Sequence, residues 1–220
     1  PMQIQNELGY DVAGPGNHEF DYGMDTFFKL TGEAEFPYLS VNFTDLRTDE
    51  KPFQAYTIID AEQYRIAFVG LTTPETPTSS RPSNFQDEDG NFIYGFLGSD
   101  DGTALYTAVQ NAIDAAYADG ADYVFAVGHM GDYVYDDRWS SIAVFEHVSG
   151  LTGFIDGHSH SKIIGEGWDK SGNDVWLTST GTKLQTIGQI TITPERQVNC
   201  ELISKDDYAV STDENSAEYK

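Results

Sequence analysis

Apolar positions along the chain follow two rhythms. In 103–117 they recur at helical spacing, at Leu105, Val109, Ala112, Ile113 and Ala116, and the run stops at Asp119-Gly120, so a helix closed by a left-handed glycine is predicted. Segment 140–148 repeats the pattern, 24–30 reads as a shorter helix, and 4–8 reads as the last turn of a helix closed by Gly9. Strand signals alternate with these. Segment 65–71 is almost continuously apolar, as expected of a strand buried on both faces, and 38–43, 56–60, 123–127 and 153–156 read as further strands. Helix 103–117 followed by strand 123–127 makes one αβ unit, and helix 140–148 followed by strand 153–156 makes another. The last quarter differs. Strand-like runs at 175–179, 186–193 and 198–204 follow one another without a helix between them, which predicts antiparallel pairing.

Between 74 and 102 the chain is rich in Pro, Ser, Asn, Asp and Gly and is expected to form a long surface excursion. From Asp206 onward it is polar and acidic. The expected organisation is one domain over 1–205, with 206–220 a polar tail or linker.

Charge narrows the partners. Twelve Lys and Arg face thirty-six Asp and Glu, a net charge of −24, so nucleic acid polymers and anionic lipid are repelled by the surface as a whole. A phosphate-bearing substrate would need a local reversal of sign, for which bound divalent cations are the natural agents. No apolar run approaches the roughly 18 residues that would span a bilayer. The single cysteine, Cys200, has no partner for an internal disulfide and is expected to be an inert strand residue. The opening residues, Pro1-Met2-Gln3-Ile4, carry neither a basic nor an apolar signal-peptide region.

Four of the five histidines lie in glycine- or asparagine-bearing segments at points where a predicted strand gives way to a loop: Gly16-Asn17-His18-Glu19-Phe20-Asp21, Gly128-His129-Met130-Gly131 and Gly157-His158-Ser159-His160. Strands of an α/β sheet deliver their C-terminal ends to one edge, so these segments can converge although they are far apart in sequence. Glycine before each histidine is expected to let the backbone turn sharply and to leave room for an ion or a phosphate. In an extended stretch His158 and His160 would point the same way, about 7 Å apart, each serving one of two ions held ~3.5–4 Å from each other. Imidazole and amide donors favour Mn, Zn, Fe, Co or Ni over Ca or Mg. His147, in mid-helix, is expected to pack or to face solvent.

The segment Gly14-Pro15-Gly16-Asn17-His18-Glu19-Phe20-Asp21-Tyr22-Gly23 resembles the signature loop of the 5'-nucleotidase and 2',3'-cyclic-nucleotide phosphodiesterase family of calcineurin-like metallophosphoesterases. Val69-Gly70-Leu71-Thr72-Thr73-Pro74, Ile155-Asp156-Gly157-His158-Ser159-His160 and Ser179-Thr180-Gly181-Thr182-Lys183-Leu184 are similar as well, and the likeness covers 6–205. It implies an α/β fold, a four-layer αββα sandwich of two face-to-face sheets with helices outside. It also implies two divalent metal ions in the intact enzyme, with Asn17, His129 and His158 on one and His160 on the other. His18 would stabilise the transferring phosphoryl oxygens or protonate the leaving oxygen, with Asp21 orienting its ring, while Glu19 and Phe20 would be structural. The resemblance further implies a small nucleotide substrate and an extracellular, periplasmic or cell-surface location.

The chain departs from the family pattern at both ends. The Asp-x-His and Gly-Asp strand ends that the family carries ahead of its Gly-Asn-His-Glu motif are not among the sixteen residues before Asn17. The expectation is a catalytic domain without its N-terminal βαβ portion and without the C-terminal domain that shapes the nucleotide site. Such a piece would hold one metal or none and hydrolyse phosphate esters poorly or not at all. Three functions stay open: a 5'-nucleotidase, a 2',3'-cyclic phosphodiesterase or nucleotide-sugar hydrolase, and a metal- or phosphate-binding module without catalysis.

Overall fold

The structure, a computed structural model, describes residues 2–132 and 137–207. In chain order its elements are helices α1 (Met2–Glu7) and α2 (Met24–Gly32), strands β1 (Phe43–Asp45), β2 (Tyr56–Ala61) and β3 (Tyr64–Thr72), the short helix α3 (Thr76–Ser79), β4 (Tyr94–Phe96), α4 (Thr103–Ala118), β5 (Tyr123–His129), α5 (Ser141–His147), β6 (Gly153–Asp156), β7 (Lys162–Trp168), β8 (Asp174–Thr180), β9 (Thr186–Ile192) and β10 (Val198–Ser204).

Six strands form one mixed sheet in the order β2-β3-β5-β6-β8-β7. The inner four are parallel, and the edge strands β2 and β7 run antiparallel to them. The predicted antiparallel pairing of the last quarter is present in β7–β8 and in the separate hairpin β9–β10, while β8 also joins β6 in parallel. Alternation along β3 and β5 sorts their side chains. Ala67, Val69, Leu71, Val124 and Ala126 face α4 and α5, whereas Ile66, Phe68, Tyr123 and Phe125 face Ile190, Ile192 and Val198 of the hairpin. The sheet is thus covered by helices on one side and by a second, two-stranded sheet on the other, in keeping with the α/β sandwich expected.

Helix α4 has the apolar stripe that its spacing predicts. Leu105, Val109 and Ile113 are fully buried, each contributing about 1.5–3 kcal/mol by leaving water. It stops where Gly120 turns at φ 91°, and the Arg65 guanidinium closes the end by donating to the carbonyls of Asp119 (2.7 Å) and Gly120 (3.1 Å). A cation there also suits the negative end of the helix dipole.

Three expectations need correction. Segment 38–43 is not a continuous strand: it makes isolated bridges at Ala13–Tyr38 and Leu39–Gln54, and regular pairing begins only at Phe43. The buried Ser40 and Asn42 explain this, because their side chains bond to each other and Asn42 bonds to the Thr72 carbonyl, competing with a ladder. Strand β7 went unpredicted, since an edge strand carrying Gly165 and Gly167 shows a weak pattern. The excursion 74–102 is not merely superficial. Phe85 is fully buried and, with Tyr94 and Phe96, packs onto Phe20, Phe27 and Phe43. Lys205–Asp207 forms a short 3-10 turn, and the rest of the expected tail, 208–220, lies outside the described residues.

Candidate metal centre

Parallel pairing brings the ends of β3, β5, β6 and β8 to one edge, with Thr72 level with His129 and Asp156 level with Ser179. The loop carrying Asn17 lies across this edge, where Thr72 Oγ1 donates to the Pro15 carbonyl at 2.7 Å. Asn17 then opens a 3-10 turn, Asn17–Phe20, which Glu19 fastens by accepting the Gly16 N–H at 2.7 Å. Phe20 anchors the turn from beneath, wholly buried among Phe27, Phe43, Phe85 and Phe96. Glu19 and Phe20 are therefore structural, as expected.

The Asn17 side chain is buried and oriented. Its Nδ2 donates to the Ser79 carbonyl at 3.2 Å, which turns Oδ1 toward His129 Nε2 at 2.9 Å and His158 Nδ1 at 3.3 Å. The two imidazoles meet edge to face with centroids 5.0 Å apart. Burial, followed by the neighbouring His158, His18 and His160, pushes His129 down to about 4. Burial and His160 lower His158 in the same direction. Both rings are therefore neutral at pH 7, the form in which imidazole ligates a cation. An amide oxygen and two neutral imidazoles facing one small volume fit a borderline divalent metal. Among the described residues no group of three or more His, Cys, Asp or Glu is placed to hold a metal ion.

His18 and Asp21 stand just outside. The His18 Nδ1–H donates to Asp21 Oδ2 at 2.8 Å, Ser80 Oγ donates to Asp21 Oδ1 at 2.9 Å, and Asn84 Nδ2 donates to the Phe20 carbonyl at 2.7 Å. The bond from His18 holds the Asp21 carboxyl below its ordinary range. The His18 side chain is 72% exposed, so its other nitrogen is open to a ligand.

The structure brings together Asn17, His129 and His158, with His18 and Asp21 alongside, and places His160, exposed, close enough to lower the pKa of both imidazoles but without a hydrogen bond to Asn17. His158 and His160 are not in an extended stretch: both have left-handed backbones, φ 84° and 58°. The role expected of the glycines also changes. A Cβ at Gly16 would come within 2.9 Å of the His129 ring and one at Gly157 within 3.1 Å, so the space they leave is filled by the imidazole itself. His147 packs, as expected, stacked on Tyr106 at 4.3 Å with its Nδ1–H donating to the Ala143 carbonyl.

No known family's sequence profile matches the chain. A 5'-nucleotidase of Vibrio parahaemolyticus is 30% identical over 169 residues, which is 74% of this chain and 28% of that protein. A 2',3'-cyclic-nucleotide 2'-phosphodiesterase/3'-nucleotidase of Yersinia enterocolitica is 27% identical over 171 residues, 72% of this chain and 24% of that protein. The crystal structure of the calcineurin-like phosphoesterase YfkN from Bacillus subtilis superimposes with a TM-score of 0.71 at 17% identity, covering 92% of this chain and 66% of that one. The chain is homologous to 5'-nucleotidases and 2',3'-cyclic-nucleotide phosphodiesterases. It spans about a quarter of the length of these curated relatives.

Family motifs alone did not point to Ser79, Ser80 or Asn84, which fix Asn17, Asp21 and the turn between them. These lie in the polar excursion, where one serine looks like another. A second unforeseen link joins the two histidine loops, the Ser159 hydroxyl donating to the Asp132 carboxylate.

Proposed function

We propose that this chain forms part of the catalytic centre of a metal-dependent phosphoesterase that hydrolyses nucleotide phosphate esters, of the 5'-nucleotidase type. The observation that carries the reading is the Asn17 amide oxygen set between two neutral imidazoles, beside an outward-facing His18 held by Asp21. Asn17, His129 and His158 hold one divalent cation, and His160 is offered to a second. When bound, such cations polarise phosphoryl oxygens and acidify water.

The chain's own residues do the rest. Asp21 fixes the His18 ring through Nδ1, leaving the far nitrogen to face a phosphoryl oxygen or the leaving oxygen. Ser80 holds the second Asp21 oxygen, so the carboxylate cannot swing away from the ring. Local cationic charge offsets the −24 of the chain and admits an anionic nucleotide.

Location outside the cytoplasm belongs to the same reading, by resemblance. Among the described residues no helix is long and apolar enough to cross a membrane. Elemental analysis of the purified protein, with product release from AMP, 2',3'-cyclic AMP and a nucleotide sugar followed chromatographically under added manganese, tests the proposal. Manganese-dependent release from AMP is expected of the whole protein, and little or none of this chain by itself. Release confined to the cyclic ester or the nucleotide sugar would reassign the substrate, and metal bound without any turnover would favour a binding module.

A further inference from the structure

Asp156 ends β6 two residues before His158, and its side chain turns into the protein, where it is buried. Its Oδ1 accepts three backbone N–H groups, from Gly157 at 2.8 Å, Met130 at 2.9 Å and Gly131 at 3.2 Å. The first opens the turn that delivers His158. The other two follow directly on His129. The ladder between β5 and β6 has already ended at Val127–Ile155, so beyond that pair the sheet no longer holds the two turns together.

Both turns also need holding. His158 sits at φ 84°, a left-handed conformation that is strained for a non-glycine residue and persists only when its surroundings over-determine it. Gly131 turns at φ 83° on the other side. Asp156 Oδ2 is buried and has no hydrogen-bond partner among the described residues, so the carboxylate is not placed there as a solvated surface charge. Its visible work is the three-amide clasp.

We propose that Asp156 is a positioning residue for the metal centre: by clasping the turns after β5 and before His158 it sets the separation of His129 and His158, and so the span of the ligand set they form with Asn17. The proposal rests on the metal-centre reading above. An acceptor at the Oδ1 position is what the clasp requires, so Asp156→Asn keeps it and Asp156→Ala removes it.

Amide hydrogen exchange at Met130, Gly131 and Gly157 in the metal-free chain, together with manganese affinity by calorimetry, tests this in wild type, Asp156→Asn and Asp156→Ala. The three wild-type amides are expected to be protected like the β5 interior, although they lie in turns. Asp156→Asn should keep both that protection and the affinity. Asp156→Ala should lose protection at those amides and weaken manganese binding by about 10–100-fold, the usual cost of removing a group that orients ligands. Wild-type amides exchanging at open-loop rates would overturn the role of Asp156 without any variant, even if Asp156→Ala fails to fold. Unchanged affinity in a folded Asp156→Ala chain would do the same. No manganese binding by wild type, with the three amides protected, would instead defeat the metal-centre reading and the proposal with it.

Discussion

Asn17 Oδ1 lies 2.9 Å from His129 Nε2, a contact that joins residues 112 positions apart in the chain. It exists because Ser79 fixes the orientation of the amide from the other side. If the oxygen is a ligand and not simply a hydrogen-bond acceptor, Asn17→Ala should weaken manganese binding by at least the roughly 10–100-fold that loss of an outer-shell partner costs. Asn17→Asp, which keeps an oxygen there and adds charge, should bind at least as well as wild type. Calorimetric titration of the two variants separates the cases.

Gly16 gives a steric prediction. A methyl group there meets both the His129 ring at 2.9 Å and Glu19 Oε2 at 2.8 Å, so Gly16→Ala should destabilise the chain by about 1–3 kcal/mol and displace the imidazole. Gly32, at the end of α2, has nothing within 4 Å of its would-be Cβ. Gly32→Ala should therefore be neutral or stabilise by up to about 1 kcal/mol. Urea melts of the two variants, with opposite signs expected, test the geometry independently of any metal.

His18 is placed to touch a ligand without touching the cation. His18→Ala should leave metal content unchanged by elemental analysis and lower whatever turnover of AMP the protein supports by about 10²–10⁴-fold. Metal lost along with turnover would mean that His18 is itself a ligand.

Cys200 offers a pH test remote from the centre. Burial, with Glu166 nearby, pushes its thiol up to about 11 from an ordinary 9.0. A folded-state value above the unfolded one favours the protonated thiol in the fold. That stability is fully present below pH 9.0 and is lost as pH rises toward 11. Alkylation at pH 8 should consequently run about a hundredfold slower than for a free thiol, in line with the smaller thiolate fraction. It should accelerate about tenfold per pH unit up to that value. Alkylation at the rate of a small thiol would contradict the burial.

Much of the centre could be read from the residues because it sits at strand ends, where apolar runs stop abruptly at Gly-His. The apolar stripe of α4 and the buried run of β3 were equally legible. Other features were not, for particular reasons. The left-handed backbones at His158 and His160 leave no mark in the periodicity of apolar positions. Phe85 was hidden among Pro, Ser and Asn because its burial is against Phe20, sixty-five residues away. Ser40 and Asn42 broke an expected strand by bonding through their side chains, a competition visible only once both are buried.

Asn17, His129 and His158 are proposed to gather around one cation. Manganese added in small amounts to isotope-labelled protein broadens the resonances of nuclei close to where it binds. The account predicts that the side-chain amide of Asn17 and the rings of His129 and His158 broaden first, ahead of the acidic surface. Broadening spread over exposed Asp and Glu, with these three side chains untouched, would contradict it.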